Sequence, residues 1–176
     1  MALTKRAVVE AAGAILDQFG LADLSMRRVA DVLGVQPGAL YYHVPNKQSL
    51  LSAVADEILH KVPTATSLTA WALGYRQALL AHRDAAELVL SSRAVGLGEV
   101  DPTESVRHLL PDDIEPAALA TVEHFVLGST LHDQTRAQLA ALGVLSEFDA
   151  DEAEHIFAEG IAILERGIGI TISDMA

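Results

Sequence analysis

The stretch Leu24–Leu51, LSMRRVADVLGVQPGALYYHVPNKQSLL, decides how the rest of the chain is read. Ser25 stands as an N-cap, and Met26, Val29, Ala30, Val32 and Leu33 follow at helical spacing as far as Gly34, a residue suited to closing a helix in the left-handed conformation. A three-residue turn then leads to a second short helix, expected from about Pro37 to His43. Its proline lies near the first turn, where a missing N–H costs nothing, and Leu40 is its inward anchor. Asn46 caps the next helix. A helix, a glycine-containing turn and a short second helix allow the first to brace the second, whose outward side chains are then free to enter a DNA major groove.

Working outward, Val8, Ala12, Ile15, Leu16 and Phe19 form the apolar stripe of a preceding helix over Thr4–Phe19, stopped by Gly20. On the other side, Leu50, Leu51, Val54, Ile58 and Leu59 carry the Asn46-capped helix to about His60, before Pro63. Further helices are expected from about Ser67 to His82, near 84 to 94 and near 103 to 110, with Gly96, Gly98, Pro102, Pro111 and Pro116 as punctuation. Two long segments, roughly 116 to 142 and 151 to 168, are apolar on more than one face, which predicts burial on more than one face. A chain this short has few helices to cover both sides, so these segments are expected to pair with a second copy. Gly128 and Gly160 either let helices approach closely across that contact or are tolerated within their own subunit. No segment has strand periodicity and no repeat is visible. The expected fold class is therefore all-α, divided into 1–47 and 48–176.

Composition narrows the function. The chain has 176 residues, half of them hydrophobic, and no cysteine, which removes disulfides, thiolate zinc sites and a cysteine nucleophile. No stretch of about 18 apolar residues or basic leader is present, so a cytoplasmic protein without a membrane partner is expected. A net charge of −12 runs against phosphate binding as a whole. Up to Lys47, however, five basic residues face four acidic ones, so almost all of the negative charge lies beyond. That asymmetry suits a first segment that touches DNA and an acidic body held away from it, although an ordinary acidic surface reads the same on charge alone.

The 24–51 segment, with its Leu-Tyr-x-His run and the Asn-Lys that opens the next helix, resembles the tetracycline-repressor (TetR) family. Its members join such a helix-turn-helix to a helical regulatory domain. The runs ALLAHRDAAEL at 78–88, TVEHFVLGSTLHDQ at 121–134 and IFAEGIAILERGI at 156–168 are similar to the regulatory domain of the tetracycline-repressor subgroup. The resemblance implies a homodimeric, ligand-responsive regulator, a repressor rather than an activator, on an inverted-repeat double-stranded DNA operator. It implies DNA contacts from Arg27, Gln36, Pro37, Gly38, Ala39, Tyr41, Tyr42, His43 and Lys47. Gln36 is suited to an adenine edge and Ala39 to a thymine methyl, while Pro37 and Gly38 equally serve helix initiation. Arg27 as a lone arginine would be merely solvated, and His43 merely a cap. One of Tyr41 and Tyr42 has core packing as its alternative, since neighbours on a helix diverge by about 100°. Lys47 lies in a first turn, where amide donors and a positive side chain make an anion site.

In the regulatory part, Trp71 and Tyr75 are one turn apart and either wall a small-molecule effector cavity with Val89 and Arg93 or belong to the core. Arg93 would suit an anionic or carbonyl group. His124 and His132 are separated by about 12 Å along one helix, too far for a common metal, and are read as facing the cavity or the dimer seam. Where the subgroup holds drug and magnesium through polar contacts and a metal histidine, this chain has Pro63, Trp71 and Val89, and His132 replaces an acidic residue. No metal or cofactor is expected. An enzyme would need a phosphate loop, ligand spacing or nucleophile elbow that the sequence lacks. A protein-docking helical module is the remaining rival, distinguishable by its weak salt dependence.

Overall fold

The computed structural model describes residues 3–112 and 114–169, and these form eight α-helices with no strand among the described residues. The helices are α1 (Lys5–Phe19), α2 (Met26–Leu33), α3 (Pro37–Leu40), α4 (Lys47–Leu59), α5 (Leu68–Leu80), α6 (Ala85–Val95), α7 (Glu115–Ala141) and α8 (Ala150–Ile168). Short 3-10 turns occupy Leu21–Asp23 and Arg107–Leu109.

The first helices begin where local chemistry satisfies their free amides. Thr4 Oγ1 accepts from Ala7 N at 3.1 Å, Ser25 Oγ from Arg28 N at 3.2 Å and Asn46 Oδ1 from Ser49 N at 2.8 Å. The apolar stripes of α1, α2 and α4 meet over Val8, Ala12, Leu16, Val29, Leu40 and Leu50, all fully buried. Val32 and Phe19 are exceptions to the expected inward stripes, 59% and 38% exposed, and the Arg28 guanidinium lies 3.9 Å from the ring centroid of Phe19.

Helix α4 packs on α1 at one side and on α6 at the other. Buried Ser52 and Ser92 share a hydrogen bond of 2.8 Å across the α4–α6 contact. Asp56 on α4 accepts from the amides of Glu99 and Val100, which ties down the chain leaving α6. Helix α5 runs between α7 and α8, and α6 lies against α7. One apolar core continues from Val8 to Ile161.

Two expected elements come out shorter. The helix expected over Pro37–His43 ends at Leu40 and continues as a turn, because the amides of His43 and Val44 both bond to Leu40 O at 2.9 Å. The helix expected near 103 to 110 is reduced to turns and the 3-10 turn at Arg107–Leu109; Asp101 accepts from the amide and hydroxyl of Thr103, a local bond that competes with helix formation. The two glycines of the long segments differ. Gly128 is exposed with open space around it, whereas Gly160 abuts the ring of Phe125 in the same chain, where a Cβ would collide.

Candidate nucleic-acid interface and effector region

The surface around α3 is built by anchoring its ends and leaving its middle uncovered. Leu40 and Val44 are buried, which pins the turn from below. Around them Gln36 and Gly38 are exposed, Pro37, Ala39 and His43 are half-buried, and Tyr41 and Tyr42 are 53% and 92% exposed. Both tyrosines thus project outward, and neither packs into the core. Arg27 is exposed on α2, while its neighbour Arg28 is occupied by Asp23 and the Phe19 ring. Lys47 is exposed in the first turn of α4, directly after the Asn46 cap. Arg27, the α3 turn and Lys47 therefore present cationic donors and two phenols with no intramolecular claim on their polar ends among the described residues, which is what phosphate and base-edge contacts require.

This unit is fastened to the body at one turn that sequence reading did not single out. Asp84, the only non-glycine with positive φ among the described residues (55°), starts α6 and turns its carboxylate back towards the first helices. Its Oδ2 accepts from Leu21 N at 2.8 Å and its Oδ1 from Gln138 Nε2 at 2.5 Å. Gly20 has φ 87°, and a Cβ there would lie 2.6 Å from Asp84 Oδ2, so both conformation and space require glycine. His82 adds a contact to Asp17 at 2.9 Å. Gln134 on α7 holds the same α5–α6 turn, donating to Leu79 O and His82 O and accepting from Ala86 N. No spacing rule marks Asp84 or Gln134, because their partners lie 48 to 63 residues away.

Trp71, Tyr75 and Val89 are fully buried. Trp71 Nε1 donates to Pro102 O at 2.7 Å, and its ring meets Tyr75 tilted at 60° with centroids 5.4 Å apart. Burial, reinforced by the negative charge of Glu123, pushes the Tyr75 phenol well above its ordinary range, so it stays neutral. Its hydroxyl has no hydrogen-bond partner among the described residues. Arg93 spends its guanidinium on Glu123, with Nε to Oε1 at 2.8 Å and Nη2 to Oε2 at 3.1 Å. His124 and His132 are exposed on one face of α7, together with Thr121, Gly128 and Thr135. On α8, Ile156 and Ile163, seven residues apart on one face, are 58% and 60% exposed. No group of three metal-ligating His, Cys, Asp or Glu residues occurs among the described residues. None of their helices is long and apolar enough to cross a membrane.

An all-α chain that holds a helix-turn-helix outward from a larger helical body has the architecture of a one-component regulator. The family model for bacterial regulatory proteins of the tetR family matches residues 4–54. The sequence is 30% identical to the tetracycline repressor protein class A of transposon 1721 from Escherichia coli, over 94% of this chain and 90% of that one. BioQ of Mycobacterium smegmatis is similar with a TM-score of 0.84 at 41% identity, covering 95% of this chain and 98% of that one. BioQ crystallised with its natural double-stranded DNA operator is similar with a TM-score of 0.81 at 38% identity, covering 97% and 100%. The chain belongs to the TetR family of bacterial regulatory proteins.

Proposed function

We propose that this protein is a ligand-responsive transcriptional repressor that binds an inverted-repeat DNA operator as a homodimer and releases it when a small molecule occupies the helical body. The observation that carries this reading is the outward run Gln36–His43, held by buried Leu40 and Val44 and flanked by exposed Arg27 and Lys47. The similar BioQ was crystallised with a double-stranded operator, and the relative from Escherichia coli is named for tetracycline repression. Residues 1–47 are the reading unit and 48–176 the regulatory and dimerising unit. In this assignment Tyr41, Tyr42, His43 and Lys47 take phosphates or nearby base edges, Arg27 reaches the groove from α2, and Gln36 with Ala39 reads bases while Pro37 and Gly38 start the helix.

Pairing is assigned to α7 and α8. Exposed Ile156 and Ile163 need apolar cover, and Thr121, Gly128 and Thr135, exposed beside His124 on one face of α7, are small enough to permit close approach. A two-fold dimer places its reading helices on the order of 34 to 36 Å apart, one turn of DNA. An effector lowers operator affinity by binding more tightly to the dimer whose helices have a different separation. Selection of bound fragments from a randomised DNA pool tests the proposal. A palindromic consensus with half-sites one turn apart is expected; recovery of no consensus would leave the protein-docking reading in its place. Lys47→Ala is expected to weaken all sequences alike and to reduce the salt slope by about one unit.

A further inference from the structure

The exposed face of α7 reads the same in both directions. Four residues to either side of Gly128 stand His124 and His132, and seven residues to either side stand Thr121 and Thr135; all five are exposed. On an α-helix these offsets return to within about 40° of one line, so the five residues form a single stripe. Half-buried Phe125 and Leu131 flank it, three residues before and three after the glycine. Both threonine hydroxyls are spent on their own helix, Thr121 Oγ1 donating to Ala117 O and Thr135 Oγ1 to Leu131 O at 2.8 Å each, which leaves the methyl groups for packing. A Cβ at Gly128 would meet nothing within 4 Å, so no contact inside the chain calls for glycine there. Glycine in a helix interior costs about 1 kcal/mol against alanine, and the close crossing of a second helix is what gives that cost a purpose.

A stripe with this symmetry is its own complement. When two copies cross antiparallel about a two-fold axis at Gly128, each position before the glycine faces the position equally far after it in the other copy. His124 then stands opposite His132 of the partner subunit, twice in the dimer, with the axes about 8 Å apart where small residues meet. The two histidines of one chain are too far apart to share an ion, whereas one from each chain can reach a common point. His132 already has the support that ligating histidines have: its Nδ1 lies 3.2 Å from Oδ1 of buried Asp133, a contact that favours the Nδ1–H tautomer and leaves the Nε2 lone pair free. We propose that α7 crosses α7 of a second copy at Gly128, and that the two His124–His132 pairs formed across the seam each bind zinc or a similar divalent transition-metal ion. Imidazole selects ions of this class over magnesium, and water completes the coordination. The site rests on the homodimer proposed above and gives its seam a ligand; an ion that clamps the crossing also fixes the separation of the reading helices.

The test is calorimetric titration of the full chain, stripped with EDTA and free of any histidine tag, with zinc chloride, alongside sedimentation with and without the ion. Two ions per dimer are expected, with a dimer dissociation constant at least about tenfold lower in saturating zinc. His124→Ala and His132→Ala are each expected to abolish zinc binding while the dimer persists. Mixed dimers of the two variants, isolated from co-expression, carry one His124 and one His132 on facing copies, so one ion per mixed dimer should return. A site within one chain would not be restored in this way. The competing pair within one chain is His155 and Glu159, 3.5 Å apart on α8, and His155→Ala should leave the stoichiometry unchanged. Gly128→Leu is expected to weaken the dimer and zinc binding together by forcing the helices apart. A dimer that ignores zinc, binding that survives either change at His124 or His132, no recovery in the mixed dimers, or Gly128→Leu without effect would overturn the assignment. A chain that stays monomeric with and without zinc would sink the homodimer as well, whereas a dimer indifferent to zinc keeps it.

Discussion

Side-chain caps start every helix up to His60 except the short α3, but only two of the four helices after it. Helices α1, α2 and α4 each start on a side chain that caps an amide three residues ahead, and α2 ends on left-handed Gly34. In the second region α5 and α8 use the same local device through Ser67 and Asp149, but α6 and α7 have no side-chain cap at all. Their positions are held instead by contacts far apart in sequence, through Asp84, Gln134 and the buried pair Arg76–Asp133. A segment framed by its own residues has its helix ends set by local chemistry. One framed by distant bonds has ends that a ligand or a neighbouring helix is able to shift.

The sharpest way to break this contrast is in the second region. Trp71→Ala removes a fully buried indole and its bond to Pro102 O, and is expected to cost about 3–5 kcal/mol in urea unfolding. Gln134→Ala strands Ala86 N and removes the donor from two carbonyls; a loss of about 1–3 kcal/mol is expected. Its effect should reach operator binding too, because the α5–α6 turn also carries Asp84. In the first region Ser25→Ala should cost only about 1 kcal/mol, the worth of a single cap, as read by thermal unfolding.

Acid titration gives a smaller effect. Burial pushes the Asp101 carboxyl up, but the hydroxyl and amide of Thr103, with Arg93 and Arg107, outweigh it and hold the group below the usual range. A carboxyl depressed in the folded state stabilises above its unfolded value and loses that contribution as pH falls through the folded one. Asp101→Asn is therefore expected to flatten the loss of stability below about pH 4. Smallest of all in stability is Tyr42→Ala. At 92% exposure it should change unfolding by less than about 0.5 kcal/mol while weakening operator binding. An equal loss of stability and binding would show that the reading head is not independent of its surface.

The reading head was legible because its signals are local. Ser25, Gly34, Asn46 and the spacing of Leu40 and Leu50 each act within one or two turns of chain, and the structure places the elements accordingly. The helix expected over Pro37–His43 stops at Leu40, where the backbone turns and the amides of His43 and Val44 both bond to Leu40 O. In the body, Trp71 and Tyr75 at helical spacing are compatible with either a cavity wall or packed interior, and only the positions of Pro102 and α6 determine that they are enclosed. Gly160 likewise signals close approach without saying to what; Phe125 of the same chain fills the space.

Sequence alone determined that this chain is helical, that a helix-turn-helix lies within 24–51, and that the charge is carried away from it, since caps, periodicity and residue counts need no knowledge of distant partners. Tertiary structure alone decided that Asp84 ties Leu21 to the start of α6, that Arg93 is committed to Glu123, and that Arg76 is paired with Asp133 in the interior. Each of those depends on groups brought together from 30 to more than 60 residues apart, where hydrogen-bond geometry and burial exist only once the helices have packed.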